Sequence, residues 1–240
     1  MLEKIEKLQI VTLGVLIGLA LIISTKLVAS TIEKNVITVT GSAYEIVKSD
    51  SGTLNFNIQV KRASKQEAYS AVQTQIKIVN EYLKSKNIDK FEIEPQHGYY
   101  SYKRDSKTGM YTDIVDAYNI TQPIKIFSEN VELIKEISTN ITSLINKGVD
   151  INVQTPSYDY SKLPQLKVTL LEKASQDAKN RATSMLKPTG NSVGNIQNVK
   201  MGVYQITPVD STSVSDMGIN DTSSIDKKVT AVANVSFKIK

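Results

Sequence analysis

The sequence predicts a mixed α and β domain that follows an apolar N-terminal helix. The helix is indicated by an uncharged run of 18 residues, from Leu8 to Thr25. From Val36 onward, segments with a two-residue period alternate with segments of helical period. Their order is strand, strand, helix, strand, strand, helix, strand, helix, strand, strand. The 240 residues suffice for one large domain and an appendage.

The composition excludes several classes of function. The chain has no cysteine, which removes disulfides, zinc-thiolate sites and thiol nucleophiles. Its net charge of +5 is spread evenly, unlike the concentrated basic surface of a nucleic-acid-binding protein. No Walker loop, GxGxxG or GxSxG motif occurs. We therefore expect no nucleic-acid partner and no cofactor, and no small-molecule substrate is indicated.

The apolar run over residues 8–25 is typical of a membrane-spanning helix. Its 18 residues lie at the lower end of the range of roughly 17 to 25 that a span requires. Val28-Ala29-Ser30 resembles a signal-peptide cleavage site, but the apolar run is longer than the core of most signal peptides. An uncleaved anchor is the favoured interpretation, and a cleaved signal is the alternative. Residues 1–34 then form an anchor and spacer, and residues 35–240 the folded domain.

The first half of the domain begins with two alternating segments, VITVTGSAYEIVKSD and GTLNFNIQVKR. The turn residues Asp50-Ser51-Gly52 between them predict an antiparallel pair of strands. Ser64, followed by Glu67 three residues later, forms a capping-box pattern that predicts the start of a helix. Apolar residues at helical spacing continue this helix towards Asn87.

A tyrosine-bearing hairpin is predicted next, with strands over 91–102 and 111–127 joined by the polar loop RDSKTGM. Tyrosines are ordinary residents of strands, so packing is the favoured interpretation, and a binding surface is the alternative. Pro123 predicts an edge position or a bulge. The candidate interaction surface comprises Tyr99, Tyr100, Tyr102, Tyr111 and Tyr118.

The second half contains a helix over 128–146, a strand over 149–160, a helix over 163–186, and strands over 192–207 and 227–240. In the helix over 163–186, three alanines recur every four residues and form one stripe, which predicts close packing against a backbone. Residues 208–226 lack periodicity, and we expect them to be disordered or to make an oligomer contact. The stripe consists of Ala174, Ala178 and Ala182.

No set of residues points to catalysis. The sole histidine is His97, and a regular strand turns it away from the face that Glu92 and Glu94 share. Two further pairs of aspartates are better explained as solvated loop or strand-edge carboxylates. We therefore expect no catalytic, metal or cofactor site, and a protein that is not an enzyme. These pairs are Asp113 with Asp116 and Asp210 with Asp216.

Several ordered segments resemble one family over about residues 36–240. They are ITVTGSA, EAYSAVQTQIKIVNEYLKSKNI, YNITQPIKI, KGVDINVQTPSYDY and LLEKASQDAKNRATSMLKPTG. Together they are similar to the SIMPL-domain proteins, a bacterial cell-envelope family that includes periplasmic immunogenic proteins. The resemblance implies a single α+β domain with a largely antiparallel sheet backed by three helices. LKPTGNSVG departs from the family's usual alanine-leucine-glycine turn.

The resemblance also implies an exported or tethered domain, a homo-oligomer that is ring-like in some relatives, and links to oxidative stress and envelope integrity. We expect a non-enzymatic, self-assembling module at the cell membrane, single-pass through residues 8–25, with its C-terminal domain extracytoplasmic. The alternative location is secreted or periplasmic, after signal cleavage. The alternative function is a ligand- or partner-binding envelope domain that uses the tyrosine hairpin and the loop over 208–226.

Overall fold

The computed structural model describes residues 2–31, 35–88 and 91–240. The α-helices in this part of the chain are α1 Leu2–Thr31, α2 Lys65–Ser85, α3 Val131–Asn140 and α4 Leu163–Leu186. The strands are β1 Val36–Lys48, β2 Ser51–Arg62, β3 Glu92–Ile93, β4 His97–Arg104, β5 Tyr111–Ser128, β6 Ile151–Val153, β7 Ser157–Asp159, β8 Val193–Met201, β9 Gln205–Pro208, β10 Ile219–Asn220 and β11 Asp226–Ile239. The predicted mixture of helices and mainly antiparallel strands is confirmed.

The N-terminal helix α1 contains the apolar run over residues 8–25. Its described side chains from Thr12 to Lys26 are nearly all exposed. Among the residues that the structure describes, no helix combines the length and the apolar character that crossing a membrane requires. The prediction of a membrane span is therefore not supported.

The strands form two sheets rather than the one that was expected. The first sheet has the order β1-β11-β9-β10, with β8 also pairing with β11. The second has the order β3-β5-β2-β6, with β4 pairing with β5 and β7 with β2. Apart from the short parallel contact between β9 and β10, the pairs whose direction is defined are antiparallel.

The predicted hairpin of β1 and β2 is wrong, because the two strands enter different sheets. At their junction, the Ser49 amide donates to the carbonyl of Ile225 at 2.8 Å and the Asp50 amide to that of Asp159 at 2.9 Å. The Asp50 carboxylate also accepts the Ser161 hydroxyl at 2.6 Å. The alternation of apolar and polar residues identified both strands, because it shows that one face of each strand is buried. It does not show which strand lies beside which, so the pairing partner could not be predicted.

Two compact units share the chain. The first comprises residues 1–42, 174–201 and 233–240, and the second comprises 43–173 and 202–232. Three elements, β1, α4 and β11, run from one unit into the other.

The core of the second unit lies on one face of β2 and β5. These strands pair continuously, from Gly52 opposite Ser128 to Arg62 opposite Tyr118. Alternate residues of both strands are buried together with apolar residues of α2 and α3. Burial of this kind is the main stabilising contribution to folding. The largest fully buried side chains of the cluster include Leu54, Phe56, Ile58, Leu83, Ile124, Ile126, Ile134 and Ile137.

Helix boundaries follow the predicted capping signals. The hydroxyl of Ser64 accepts the Glu67 amide at 3.2 Å at the start of α2, as predicted. A 3-10 helix over Ile141–Lys147 continues α3 and ends at Gly148, whose φ is 79°. After α4, a short 3-10 turn containing Pro188 ends at Gly190 with a φ of 75°. Both glycines occupy the left-handed conformation that favours them.

In the first unit, the C-terminal half of α4 packs closely on β1. Ala174, Ala178 and Ala182 are fully buried. A Cβ atom added to Gly41 would lie 2.8 Å from the Cα of Ala178, and closer still to backbone atoms of the helix. The Ser42 amide of β1 also donates to the Asp177 carboxylate at 2.9 Å. Small side chains on both partners thus bring the helix and strand backbones together.

Three predicted regions differ in detail from the structure. The strand over 149–160 is divided into β6 and β7, and the strand over 192–207 into β8 and β9. Pro123 lies in the interior strand β5, so the edge position is wrong. It faces the gap between β3 and β4, where three residues oppose two of β5, which agrees with the alternative of a bulge. The loop over 208–226, for which we expected disorder, has a defined path. It contains β10, and its Thr222 carbonyl accepts the Tyr158 amide at 2.7 Å.

Candidate interaction surface

A two-stranded ribbon extends beyond the second sheet. Pairing between β2 and β5 ends at Arg62 opposite Tyr118, whereas β4 pairs with β5 as far as Arg104 opposite Tyr111. Residues 101–117 therefore form a hairpin to which β2 adds no third strand, and we call these residues the ribbon. A two-stranded hairpin is only marginally stable by itself, so the sheet at its base positions it.

Bulges in β5 place tyrosines of both strands on one face of the ribbon. Tyr100 lies opposite Tyr118, Tyr102 opposite Val115, and Arg104 opposite Tyr111. In a regular strand, Tyr111 and Tyr118 would point to opposite faces because their numbers differ by seven. The register shift after Ser101 adds one residue to β5 and so changes this relation, whereas the shift after Tyr102 adds two and preserves the face. The sequence pattern contained no clear signal for either bulge.

This row of side chains continues the core face of the sheet. Tyr118 is 8% exposed and belongs to the buried cluster. Its ring meets that of Tyr100 edge to face, with centroids 4.7 Å apart. Beside them, Gly98 leaves room for the ring of Tyr118, since an added Cβ would lie 2.8 Å from the ring carbon Cζ. Of the predicted tyrosines, Tyr118 is thus a core residue.

Beyond Tyr100 the row leaves the core and is open to water. The exposed fractions are 44% for Tyr102, 42% for Val115 and 67% for Tyr111. Tyr99, the neighbour of Tyr100 in β4, is also exposed but lies on the opposite face. Two apolar residues that sequence reasoning missed, Met110 and Ile114, are exposed on the same ribbon. Contiguous exposed apolar groups of this kind mark interaction sites more often than isolated ones do.

The tip of the ribbon is ordered and basic. The guanidinium of Arg104 donates to the Tyr111 hydroxyl at 2.8 Å, and its Cζ lies 4.6 Å from the centre of that ring. The Asp105 carboxylate accepts the amides of Lys107 and Thr108, and these bonds lower the pKa of Asp105. This carboxylate stays charged, but three cations within residues 103–110 outnumber it and leave the tip positive. They are Lys103, Arg104 and Lys107.

A separate cleft lies in the second unit between α3, β7 and the loop over 208–226, and we call it the α3 cleft. Its volume is about 700 Å³. No ribbon tyrosine lines it, so this cleft is not the mouth shared by the hairpin and the loop that the alternative prediction described. Its lining comprises Ile46, Lys135, Ser138, Pro156, Tyr158, Pro208, Val209, Asp210, Ser223, Ser224, Ile225 and Asp226.

The loop beside the α3 cleft is held by a buried ion pair that the sequence did not reveal. Lys227 donates to the carbonyl of Asp221 at 2.7 Å, and its Nζ lies 3.8 Å from the Asp221 carboxylate. Burial raises the pKa of Asp221, but hydrogen bonds from Ser223 and Ser224 outweigh it and lower the pKa to about 2. Burial also lowers the pKa of Lys227, against the attraction of Asp221 and Asp159.

The other predicted residues do not assemble into a site. The alanine stripe is buried inside the chain and presents no surface to a partner. His97 is the first residue of β4 and lies opposite Thr121 of β5. Glu92 belongs to the separate strand β3 and lies opposite Lys125 of β5. Asp116 forms an ion pair with Lys61 at 2.7 Å, which lowers the pKa of Asp116. Within the described ranges, no three histidine or carboxylate side chains are grouped so that they could hold a metal ion.

Comparison with known proteins identifies one family. The model of the SIMPL family, described as a protein of unknown function (DUF541), matches residues 37–237. This range covers most of the chain and confirms the resemblance expected from the ordered sequence segments. No curated protein matches the sequence significantly.

Proposed function

The chain belongs to the SIMPL family, and on this premise we propose that it is a non-enzymatic module that self-assembles through the ribbon. One observation carries the proposal, namely the exposed apolar face of the ribbon. Tyr102, Val115 and Tyr111 extend the core face of the sheet into water. A second copy of the chain that covers this face would remove it from water, which is favourable.

The expected strength of this association follows from the exposed side chains. Complete burial of one large apolar side chain stabilises by about 1.5 to 3 kcal/mol. The side chains on the ribbon are already about half buried in the single chain, so only the remaining half can be removed from water on association. Each therefore contributes about 1 kcal/mol, before the cost of association. Four such side chains, Tyr100, Tyr102, Tyr111 and Val115, share this face. Together they supply about 4 kcal/mol, so we expect a weak association, at millimolar rather than micromolar concentrations.

A single introduced cysteine tests this proposal, because the native chain contains none. In the variant Val115→Cys, the rate of maleimide labelling should fall by about tenfold as the protein concentration rises through the association range. Burial in the assembly protects the thiol, whatever the geometry of the contact. The matched control is Val168→Cys, since Val168 is an exposed valine on α4, at 61% exposure, outside the ribbon.

Labelling of Val115→Cys that is as fast as that of the control at every concentration would refute assembly through the ribbon. Protection of both positions would indicate a contact that is not specific to the ribbon. Gel filtration at the same concentrations should show the multimer that accompanies protection. A multimer of Val115→Cys in which the introduced thiol stays fully reactive would place the contact elsewhere.

The cellular setting is a second part of the proposal. The family resemblance supports an extracytoplasmic role in the cell envelope, linked to stress. Attachment to a membrane through residues 8–25 is supported by the apolar sequence alone, and release after cleavage is the alternative. Fractionation of cells with antibody detection tests both, since an anchored chain remains in the membrane pellet after alkaline extraction. Recovery with the cytoplasmic proteins would contradict the whole setting.

A further inference from the structure

We propose that the α3 cleft binds a zwitterionic apolar ligand of peptide size, such as a tripeptide with free termini. A volume of about 700 Å³ lies within the range of small-molecule sites. This site does not rest on the self-assembly proposed above, because no ribbon residue lines it.

The floor of the cleft is apolar, and backbone hydrogen bonds join its walls. Tyr158 is buried, with only 5% of its surface exposed. Pro156 and Pro208, which also line the cleft, restrict the backbone of its walls. The amide of Tyr158 joins the β7 wall to the loop at 2.7 Å, and the amide of Ser49 bonds the Ile225 carbonyl at 2.8 Å. Preformed walls lower the entropy cost of binding. The apolar lining consists of Ile46, Pro156, Tyr158, Pro208, Val209 and Ile225.

The rim carries charges of both signs. Lys135 of α3 supplies the cation, and Asp210 and Asp226 of the loop supply two carboxylates. In the part of the chain that the structure describes, neither Lys135 nor Asp210 belongs to an ion pair. Asp226 lies near enough to Lys48 to raise the pKa of that lysine, although Glu132 is the larger cause. Lys135 in turn helps to lower the pKa of Glu132, although Lys48 is the larger cause. Because Lys135 and Asp210 are not held in an ion pair within the described residues, they are the two rim charges best able to meet a ligand.

This distribution of charge selects the class of ligand. A fatty acid would meet Lys135 but would also face two carboxylates, and a polyphosphate would be repelled by both of them. An apolar amine would leave Lys135 without a partner. A ligand with a carboxylate, an ammonium group and an apolar body satisfies Lys135, Asp210 and the floor together. The hydroxyls of Ser138 and Ser223 already donate to the Lys135 carbonyl at 2.8 Å and the Asp221 carboxylate at 2.7 Å, so their oxygens can still accept a peptide N–H at the rim.

Isothermal titration of the full chain with the tripeptide Leu-Ala-Leu tests the inference. We expect saturable binding, and an N-acetylated, C-amidated form of the same tripeptide should bind at least tenfold more weakly. The variants Lys135→Gln and Asp210→Asn should each weaken binding of the free tripeptide by about tenfold, as expected for the loss of one charge-assisted hydrogen bond. Both side chains are exposed, so the variants should fold normally.

The control variants are Lys147→Gln and Asp150→Asn, which make the same changes at exposed positions outside the cleft. They should bind the tripeptide as the native chain does. Absence of binding to the native chain at millimolar tripeptide would overturn the inference. Equal binding of the blocked tripeptide, or unchanged affinity in Lys135→Gln and Asp210→Asn, would overturn it as well.

Discussion

Replacing Gly41 by alanine should separate β1 from α4 in the first unit. The added Cβ would lie 2.8 Å from the Cα of Ala178, and closer to the Ala174 carbonyl oxygen and the Ala178 nitrogen. Carbon atoms in contact are normally about 3.5 to 4.0 Å apart, so the helix must retreat by roughly 1 Å. All three obstructing atoms are backbone atoms, which cannot move aside by changing a rotamer.

The expected cost is about 1 to 3 kcal/mol, the usual range for an overpacked interior. Lower entropy of the unfolded chain offsets this by about 0.4 to 1 kcal/mol, which places the result towards the lower end. The retreat would also lengthen the bond between the Ser42 amide and the Asp177 carboxylate, now 2.9 Å. For a domain of this size, the melting temperature should fall by roughly 2 to 8 °C.

Urea unfolding followed by circular dichroism measures this change. The control is Gly18→Ala in α1, where the same methyl group meets no atom within 4 Å. It should leave stability unchanged or raise it by up to about 1 kcal/mol. An unchanged unfolding midpoint in Gly41→Ala would refute the close packing. Recovery of stability by adding Ala178→Gly would also refute it, because that change removes a side chain and not the obstructing backbone.

Three further predictions concern other parts of the chain. Ala178→Leu should cost on the order of 1 to 3 kcal/mol in urea unfolding, because no space surrounds the fully buried Ala178; an unchanged midpoint would mean that the stripe is loosely packed. The pKa of Asp221 is lowered to about 2 from an ordinary 3.8, so its contribution of roughly 2 kcal/mol is complete above pH 4 and disappears as the pH falls towards 2. Asp221→Asn should flatten the stability of the protein over that pH range, and an unaltered profile would contradict the assignment. His97→Ala should change neither assembly nor tripeptide binding, measured by light scattering and titration, since His97 is exposed and does not line the α3 cleft.

Much of the fold was predictable because helices and half-buried strands have strong local signals. The cap at Ser64, the end of α4 before Gly190 and the hairpin of β4 and β5 all follow from residues close in sequence. The separation of β1 from β2 was not predictable in this way. It depends on long-range pairing of β1 with β11 and of β2 with β5.

The candidate surfaces were predictable only in part. The tyrosines of the hairpin were identified, but the bulges that align Tyr102 with Val115 and leave Tyr118 in the core arise from the pairing of two strands. The sequence of the loop over 208–226 predicts disorder, because its polar residues have no periodicity. Its order depends on the buried Lys227, a residue whose role appears only when Asp221 is placed beside it.

The most direct test of self-assembly is the absolute mass of residues 35–240 in solution, by light scattering after gel filtration over a range of concentrations. We predict a discrete multimer at the highest concentrations, near millimolar, that becomes a single chain when Tyr102 and Val115 are both replaced by serine. The same replacement at Tyr44, an exposed tyrosine of β1 outside the ribbon, should leave the multimer intact. The mass of a single chain at every concentration, or a multimer that survives the loss of Tyr102 and Val115, would contradict assembly through the ribbon.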